Sequence, residues 1–316
     1  MSKHVPVLLQ EVITNLNIKD QGIYIDCTLG GGGYFEMLIE NLNRFAKGSL
    51  LIGIDQDIDS IKAYVEKTKK DYGVEIKESE IDLEYIKTKM FSYKIGKTDV
   101  VLVNTNFSNL EELVALYKKE KQVLGIVADL GFSSDQLNNG RGFSFRNLSD
   151  ELDMRMDVRK SLKAKDLLNT FTQKELSKIF SEYANEPKAR IVAESVIAQR
   201  LKLKFEKVGD LLKVLDTIKG IFDIEDFYQR IFQALRIAVN IELVSLKQLL
   251  SASINAIDLD GRVIMVSFHS GEDRIINEYI VSNNLVSISD KEIKPTPKEI
   301  LKNPRSRSAK LRGFIK

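Results

Sequence analysis

Residues 24–33 read YIDCTLGGGG, a buried β-strand pattern that ends in four consecutive glycines. A second apolar run, LLIGI at 50–54, is closed by Asp55, which follows Gly33 by 22 residues. Four glycines let the backbone turn tightly and approach a ligand without Cβ clashes. An acidic residue at about this spacing accepts hydrogen bonds from ribose hydroxyls in nucleotide-binding βαβ units. The stretch therefore predicts a site for an adenosine-containing cofactor.

The spacing of the glycines excludes two common nucleotide-binding motifs. In the dinucleotide fingerprint G-x-G-x-x-G, the third glycine position would fall on Phe35. No Gly-Lys-Ser or Gly-Lys-Thr directly follows the glycines, so this loop is not a phosphate-cradling P-loop. A loop without phosphate-binding features suits a cofactor without phosphates, and S-adenosylmethionine is the expected one. The alternative is a glycine-rich turn in an ordinary α/β protein.

The composition is that of an ordinary globular protein. Of the 316 residues, 43% are hydrophobic and 29% are charged, and the net charge is +2. No run reaches the roughly 18 apolar residues of a membrane span. The N-terminus has no secretory h-region, and Cys27 is the single cysteine. We expect a cytoplasmic protein without disulfides and without a membrane partner.

Apolar runs alternate with helical patterns, which predicts an α/β fold with a mostly parallel sheet. Strands are predicted at 23–27, 50–54, 100–103, 123–128 and 262–268. Residues 160–235 carry helical patterns without a clear strand, and one long helix is predicted from about 224 to 256. The predicted domains are a cofactor-binding domain at 1–159 and 236–316, and a helical substrate-recognition insertion at 160–235.

The sequence DLGFSSDQL at 129–137 directly follows the fourth predicted strand. Ligands of open α/β sheets bind beyond the carboxyl ends of the strands, so Asp129 is expected where a cofactor meets its substrate. The amine of a nucleobase is a weak nucleophile because its lone pair is conjugated into the ring. A carboxylate that accepts its N–H can accelerate its reaction by about 10²–10⁴-fold. The alternative role for Asp129 is a helix cap.

Arginines are interleaved with Phe143 and Phe145 in RGFSFR at 141–146, and LDMRMD at 152–157 follows with one more arginine among alternating apolar residues. This mixture can stack on bases and pair with phosphates, and its alternation equally suits a hydrophobic core. Basic clusters at 187–207 and 298–316 are either phosphate contacts or solvated surface with a loose tail.

A Ser-His pair occurs in SFHSGEDR at 267–274. It does not predict a hydrolase, because the chain lacks a G-x-S-x-G elbow and has only two histidines, His4 and His269. His269 is expected to position other groups at the end of the last predicted strand.

Together these segments resemble the bacterial 16S rRNA cytidine-N4 methyltransferase family, RsmH (formerly MraW). The resemblance spans nearly the whole chain in the right order. The matching segments are 4–9 with Glu11, 24–33, 53–57, 129–137, 141–145, 152–157, 232–237, 239–240, 267–270, 272–274 and 305–312.

The resemblance implies a class I Rossmann-like methyltransferase sheet that is dependent on S-adenosylmethionine, with an inserted all-helical substrate domain. The implied reaction moves a methyl group from S-adenosylmethionine to the exocyclic N4 of a cytidine in the decoding centre (P-site region) of 16S rRNA. The implied partner is this rRNA or the small ribosomal subunit. Neither a metal nor an obligate protein partner is expected.

The resemblance also assigns roles to residues at matching positions. The implied cofactor contacts are Gly32, Gly33, Tyr34, Asp55, Phe107, Asp129 and Gln136, and Asp129 is the expected catalytic carboxylate. The expected substrate contacts are Arg141, Phe145, Arg155, His269, Arg305 and Arg307. The chain departs from the family at three of its positions, where Tyr34, Asp135 and Gly271 replace the usual histidine, proline and leucine, and residues 71–98 are longer than usual.

Two alternatives stay open. One is methylation of another amine, on DNA or protein, although the Asp/Asn-Pro-Pro-Tyr tetrapeptide of common amino-methylating DNA enzymes is absent. The other is a ribosome-assembly factor that binds cofactor and RNA without turnover, against which the retained Asp129 and Gln136 argue.

Overall fold

The computed structural model describes residues 6–19, 21–45, 48–83, 86–118, 121–131 and 140–316. The chain divides into two compact units. Unit 1 comprises residues 1–131 and 243–316, and unit 2 comprises residues 132–242.

Unit 1 is built on one sheet. Its strands are β1 (Gly22–Asp26), β2 (Leu50–Ile54), β3 (Lys77–Leu83), β4 (Ile86–Ile95), β5 (Thr98–Val103), β6 (Gln122–Asp129), β7 (Arg262–Ser267), β8 (Val286–Ser287) and β9 (Lys310–Ile315). Its helices are α1 (Leu9–Leu16), α2 (Gly33–Phe45), α3 (Ile58–Tyr72), α4 (Leu110–Ala115), α10 (Glu242–Ala256), α11 (Ser270–Ser282) and α12 (Pro297–Lys302).

The strand order is β3-β4-β5-β2-β1-β6-β7-β9-β8. The five central strands, from β5 to β7, pair in parallel, and the outer strands at both edges pair antiparallel. The order reverses at β1, which lies between β2 and β6. In doubly wound sheets such a reversal opens a ligand crevice at the carboxyl ends of the strands. The predicted Rossmann-like α/β fold is confirmed.

Both faces of the sheet are covered, as a parallel sheet requires. Ile23 and Ile25 of β1 face one core, which includes residues of α10 and α11. Tyr24, between them, faces a second core together with residues of α2 and α3. The apolar run of β1 is therefore continuous because both faces of this strand are buried.

Four strands lie where the sequence analysis predicted none: β3, β4, β8 and β9. Residues 77–95 form the β3–β4 hairpin at one edge. Most β3 side chains are exposed, so this strand has no apolar alternation that a pattern search can detect. At the other edge β9 pairs with β7, and its Leu311 and Phe314 are buried. The second half of the basic 298–316 cluster is therefore a strand rather than a loose tail.

Unit 2 is a helical unit with its own core. Its helices are α5 (Ala164–Thr170), α6 (Gln173–Ala184), α7 (Ala189–Arg200), α8 (Val208–Leu215) and α9 (Ile224–Asn240). The unit begins before and ends after the predicted 160–235 insertion. It begins earlier because Phe143, Leu152, Met154 and Met156, from the segment before the helices, are buried in this core.

The single helix predicted from 224 to 256 is wrong, because the chain breaks at Ile241 into α9 and α10. Ile241 adopts a left-handed conformation with φ of 53°, and its side chain is 51% exposed. None of the described helices is by itself long and apolar enough to cross a membrane; α9 and α10 reach that length and composition only as a bent pair.

We predict that Ile241→Asn stabilises the protein. A β-branched residue in the left-handed region costs about 1–2 kcal/mol, whereas asparagine tolerates it. Because the side chain is half exposed, little burial is lost. The free energy of unfolding, measured by urea denaturation, should rise by about 1 kcal/mol.

Val244→Asn is the matched control. Val244 is 52% exposed and lies within right-handed α10. Its replacement should lower stability slightly, because asparagine has a low helix propensity. An equal gain in both variants would show that removal of an exposed apolar group, and not relief at Ile241, explains the result.

Candidate cofactor site and family membership

Three carboxylates mark the carboxyl edge of the parallel strands. Asp26 ends β1, Asp55 follows β2, and Asp129 ends β6. Because these strands are neighbours at the point where the strand order reverses, the three residues lie at one edge of the sheet. The glycine turn that leads into α2 lies at the same edge.

The glycine turn has one face that is closed by packing and one that is open. Gly32 has φ of +79°, and a Cβ on it would lie 2.1 Å from the Tyr64 ring. A Cβ on Gly31 would meet no described atom within 4 Å. The turn therefore requires glycine at 32 for its own fold, whereas Gly31 borders free space in which a ligand can approach the backbone.

Asp55 holds this turn in place. Its Oδ2 accepts the N–H of Gly30 at 2.8 Å, and its Oδ1 accepts the N–H of Asp57 at 2.8 Å. Burial raises the pKa of Asp55 to about 7, although these two hydrogen bonds favour its charged form. Each carboxylate oxygen has more than one acceptor site, so both retain acceptor capacity for a ligand hydroxyl.

Asp26 and Asp129 are linked through Thr28. The N–H of Asp129 donates to Thr28 Oγ1 at 2.7 Å, and Thr28 Oγ1 donates to Asp26 Oδ1 at 3.4 Å. The Thr28 N–H donates to the same Asp26 oxygen at 3.0 Å. Asp26 Oδ2 and Asp129 Oδ1 are both buried, and within the described ranges neither has a hydrogen-bond partner.

The field at Asp129 disfavours its charged form. Burial raises its pKa well above the usual range, and the nearby charges of Asp26 and Glu272 raise it further. Burial likewise raises the pKa of Asp26 to about 6. A cation bound at this edge would stabilise the charged form of these carboxylates.

Tyr34 is placed beside the turn, but its side chain points inward. It is only 4% exposed, and its hydroxyl donates to the carbonyl of Val7. A contact between Tyr34 and a cofactor is therefore left to its backbone, in the first turn of α2, where helix N–H groups lack intrahelical partners.

The segment after β5 completes this edge. Asn104 Nδ2 donates to the backbone carbonyl of Asp55 at 3.1 Å. Asn106 caps a short 3₁₀ turn that begins at Phe107, and Phe107 is partly buried against the adjoining core. The predicted cofactor residue Gln136 lies outside the described residues, as do Asp135 and His4.

The arginines predicted for substrate in unit 2 are engaged within it. Arg155 Nε and Nη2 donate to the two carboxylate oxygens of Asp153, each at 2.7 Å, and Nη1 donates to the carbonyls of Val158 and Lys160. Arg141 Nη1 donates to the Arg155 carbonyl at 3.0 Å. Both guanidinium groups thus stabilise the loop that carries them.

Phe145 belongs to an aromatic group of the same unit. Its ring lies 5.7 Å from that of Tyr228 and 6.0 Å from that of Phe232, centroid to centroid. These contacts are those of a hydrophobic core. The alternation of residues at 141–157 was compatible with either a core or RNA stacking. The RNA contacts of Arg141, Phe145 and Arg155 stay a prediction.

The remaining predicted substrate residues lie in unit 1. His269 caps α11, and its Nδ1 accepts the N–H of Glu272 at 3.4 Å. Arg305 and Arg307 are exposed in a 3₁₀ turn, Pro304–Ser308. Of this group, the two arginines are the ones whose side chains reach solvent.

Sequence reasoning did not assign roles to Asp26 and Glu272. Asp26 was within the stretch that decided the fold, and its position at the end of β1 was the available signal. Glu272 is only 3% exposed, and its Oε2 accepts the N–H groups of Phe268 and His269 at 2.9 and 3.3 Å. No local pattern reveals that its charge also acts on Asp129.

Residues 1–103 and 66–316 match the MraW methylase family, and these overlapping matches cover the whole chain. The chain belongs to this family. The family resemblance carried by the glycine turn, Asp129 and the segments after it is confirmed.

Several relatives named "Ribosomal RNA small subunit methyltransferase H" match this member of the MraW methylase family over most of their length, among them the three that follow. The protein from Dictyoglomus thermophilum is 37% identical over 98% of this chain and 96% of its own. The protein from Clostridium botulinum (strain Kyoto) is 35% identical, with 98% and 97% covered. The protein from Parabacteroides distasonis is 32% identical, with 98% and 96% covered.

Two solved structures were also matched. An rRNA methylase from Streptococcus thermophilus has a TM-score of 0.36 at 11% identity, with 98% of this chain and 92% of that chain covered. A Streptococcus mutans protein in complex with SAH has a TM-score of 0.40 at 8% identity, with 98% of both chains covered. Both TM-scores are too low to support a conclusion.

The MraW methylase family is S-adenosylmethionine-dependent, which confirms the expected cofactor. The residues at the carboxyl edge fit this molecule chemically. It carries positive charge on a sulfonium and an amine, and the edge offers Asp26 Oδ2 and Asp129 Oδ1 without partners among the described residues. The open face at Gly31 accommodates close approach of a ligand to the backbone.

We predict that alanine destabilises the protein at Gly32 but not at the adjacent Gly31. Gly32→Ala should lower the free energy of unfolding by about 2–4 kcal/mol, because it combines left-handed strain with a clash against Tyr64. Gly31→Ala should change stability by less than about 0.5 kcal/mol, because its Cβ has space. Urea denaturation measures both, and equal losses would contradict the division into a closed and an open face.

We predict that Asp26→Asn stabilises the cofactor-free protein above pH 6. The folded-state pKa of about 6 lies above the usual value of 3.8, so burial of Asp26 costs no stability below about pH 4, and its full cost is reached as the pH rises through about 6. The loss amounts to about 3 kcal/mol. Asparagine keeps the acceptor for the Thr28 N–H but has no charge to bury. Urea denaturation should show the variant more stable than the wild type at pH 8, with the advantage gone at pH 4.

Asp260→Asn is the control for that experiment. Its side chain is 76% exposed, so the change should stay within about 0.5 kcal/mol at both pH values. An Asp26→Asn variant that is less stable than the wild type at pH 8 would contradict the electrostatic cost assigned to Asp26.

Proposed function

We propose that this methyltransferase transfers a methyl group from S-adenosylmethionine to the exocyclic N4 of a cytidine in the decoding centre of 16S small-subunit rRNA. The observation that carries the proposal is the buried Asp129 Oδ1, which has no partner among the described residues. The rRNA substrate is supported by the names of the relatives. The N4 position is supported by the segments that resemble the cytidine-N4 family.

The cofactor would be held by the edge described above. The backbone of Gly32, Gly33 and Tyr34 would contact it at the start of α2, where N–H groups are available. Asp55 would accept hydrogen bonds from the ribose hydroxyls, and Phe107 would lie against the adenine. Gln136 is proposed as a further contact by resemblance alone.

Asp129 would act on the amine of the substrate. When bound, the cofactor supplies a methyl group on a positively charged sulfur. The Asp129 carboxylate would accept an N–H of the cytosine amine, localise its lone pair and take up its proton as the N–C bond forms and the sulfur–methyl bond breaks, with that electron pair left on the sulfur. A positive charge beside Asp129 lowers its pKa, so the bound cofactor favours the ionised form that can accept this proton.

RNA would be bound in part by exposed basic side chains of unit 1. Arg305 and Arg307 are exposed in unit 1 and suit phosphate contacts. His269 would help to shape the site through its cap on α11. The target base must leave any stack to reach the methyl group, which costs a few kcal/mol. The proposal places the enzyme in the cytoplasm with rRNA, free or in the small subunit, as its partner.

The test follows transfer of tritium from labelled S-adenosylmethionine to small subunits from a strain that lacks the activity. Asp129→Asn should lower kcat by about 10²–10⁴-fold, a larger loss than its effect on cofactor affinity. Asp55→Ala should instead weaken cofactor binding, measured by calorimetry. Mass spectrometry of the labelled rRNA should identify N4-methylcytidine.

Each result discriminates between alternatives. No incorporation by the wild type would favour a binding factor over an enzyme. Label in another nucleotide would contradict the cytidine assignment, and label in DNA or protein instead would contradict the substrate class. Full activity of Asp129→Asn would contradict the role of Asp129.

A further inference from the structure

The N-terminal segment 6–8 lies directly on the glycine turn. A Cβ on Gly33 would come within 2.2 Å of Pro6 Cγ, so the proline ring occupies the space beside this glycine. Val7 is 3% exposed and Leu8 is fully buried, in the same core as Tyr34. Segment 6–8 is therefore a wall of the turn.

Two polar contacts tether this wall. The hydroxyl of Tyr34, at the start of α2, donates to the Val7 carbonyl. The N–H of Leu8 donates to Glu299 Oε1 of α12 at 2.7 Å, across 291 positions of sequence. One tether thus comes from the residue after the glycine turn, and the other comes from the far end of unit 1.

The wall would not hold this shape unaided. Leu8 has φ of 55°, a left-handed conformation that a leucine adopts only when its surroundings impose it. Its buried N–H also needs an acceptor, because an unpaired buried donor is costly. Glu299 supplies that acceptor, so its loss removes the contact that stabilises the strained residue.

The Tyr34 tether lies in the field of the candidate site. Burial raises the pKa of its phenol far above the usual range, and the charges of Asp129, Asp26 and Glu299 raise it further. The hydroxyl therefore stays a neutral donor at every working pH. Tyr34 directly follows the four glycines, in the first turn of α2, at the edge where the cofactor is proposed to bind.

We propose that Tyr34 and Glu299 are positioning residues that hold segment 6–8 against the glycine turn and thereby set the lifetime of bound S-adenosylmethionine. This inference rests on the proposed placement of the cofactor at that turn. Neither side chain touches the reacting atoms; each acts through the backbone of Val7 or Leu8. Their loss lets the wall move and speeds release of the cofactor.

The test measures the dissociation rate and the Kd of S-adenosylmethionine with the full chain, without RNA. Glu299→Ala and Tyr34→Phe should each speed dissociation by about fivefold or more, the effect of losing one buried hydrogen bond. Glu299→Gln should stay within about twofold of the wild type, because its amide oxygen still accepts the Leu8 N–H.

Asp258→Ala is the matched control. Asp258 Oδ2 accepts the N–H of Val123 at 2.8 Å, a bond of the same kind at the opposite end of β6. It should lower the free energy of unfolding but leave cofactor release within about twofold. Equal acceleration in this control, unchanged release in both tether variants, or failure of glutamine to rescue would each overturn the inference. Normal cofactor release without rRNA methylation would instead count against the proposed substrate.

Discussion

The hydrogen bond from the Gly30 N–H to the Asp55 carboxylate is the constraint on which the edge of the sheet depends. Through it, the end of β2 fixes the turn that follows β1. The same carboxylate accepts the N–H of Asp57, the residue directly before α3. The backbone of Asp55 is hydrogen-bonded to Val103 and to the side chain of Asn104, at the end of β5. Asp55 thus fixes the carboxyl ends of β1, β2 and β5 relative to one another. The turn can be built of glycine alone because this contact, and not side-chain packing, holds its first residue.

The buried carboxylates at the carboxyl edge of the sheet destabilise the empty protein and favour the binding of a cation. Asp26 and Asp129 are buried near one another with oxygens that lack partners among the described residues, and burial raises the pKa of both. In the empty protein this arrangement is costly, since a buried charge without a counter-charge is unfavourable. A positively charged ligand supplies the missing counter-charge when it binds. Affinity at such a site therefore comes partly from relief of repulsion within the protein, and less of it has to come from contact area.

Local sequence patterns predicted much of the fold, but they did not predict its long-range contacts. The strands around the glycine turn were predictable because they are continuous apolar runs. The charged edge strand β3 carries no such pattern. The left-handed break at Ile241 contradicts the preference of a β-branched residue. Within the site, the positions of the carboxylates followed from strand ends, but the bond between Leu8 and Glu299 joins residues that no local pattern relates.

The order of units along the chain bears on how the protein is made. Unit 2 is one continuous segment, so it can fold as soon as residues 132–242 have been synthesised. Unit 1 is interrupted by it, and β7 and β9 are added to its sheet only afterwards. Domains generally fold as units during synthesis, from the N-terminus onward. A nascent chain therefore carries the glycine turn and all three carboxylates long before the strands and the helix α12 that complete their surroundings exist. Under the proposed placement of the cofactor, the ability to retain it develops only after α12, at residues 297–302, has been synthesised.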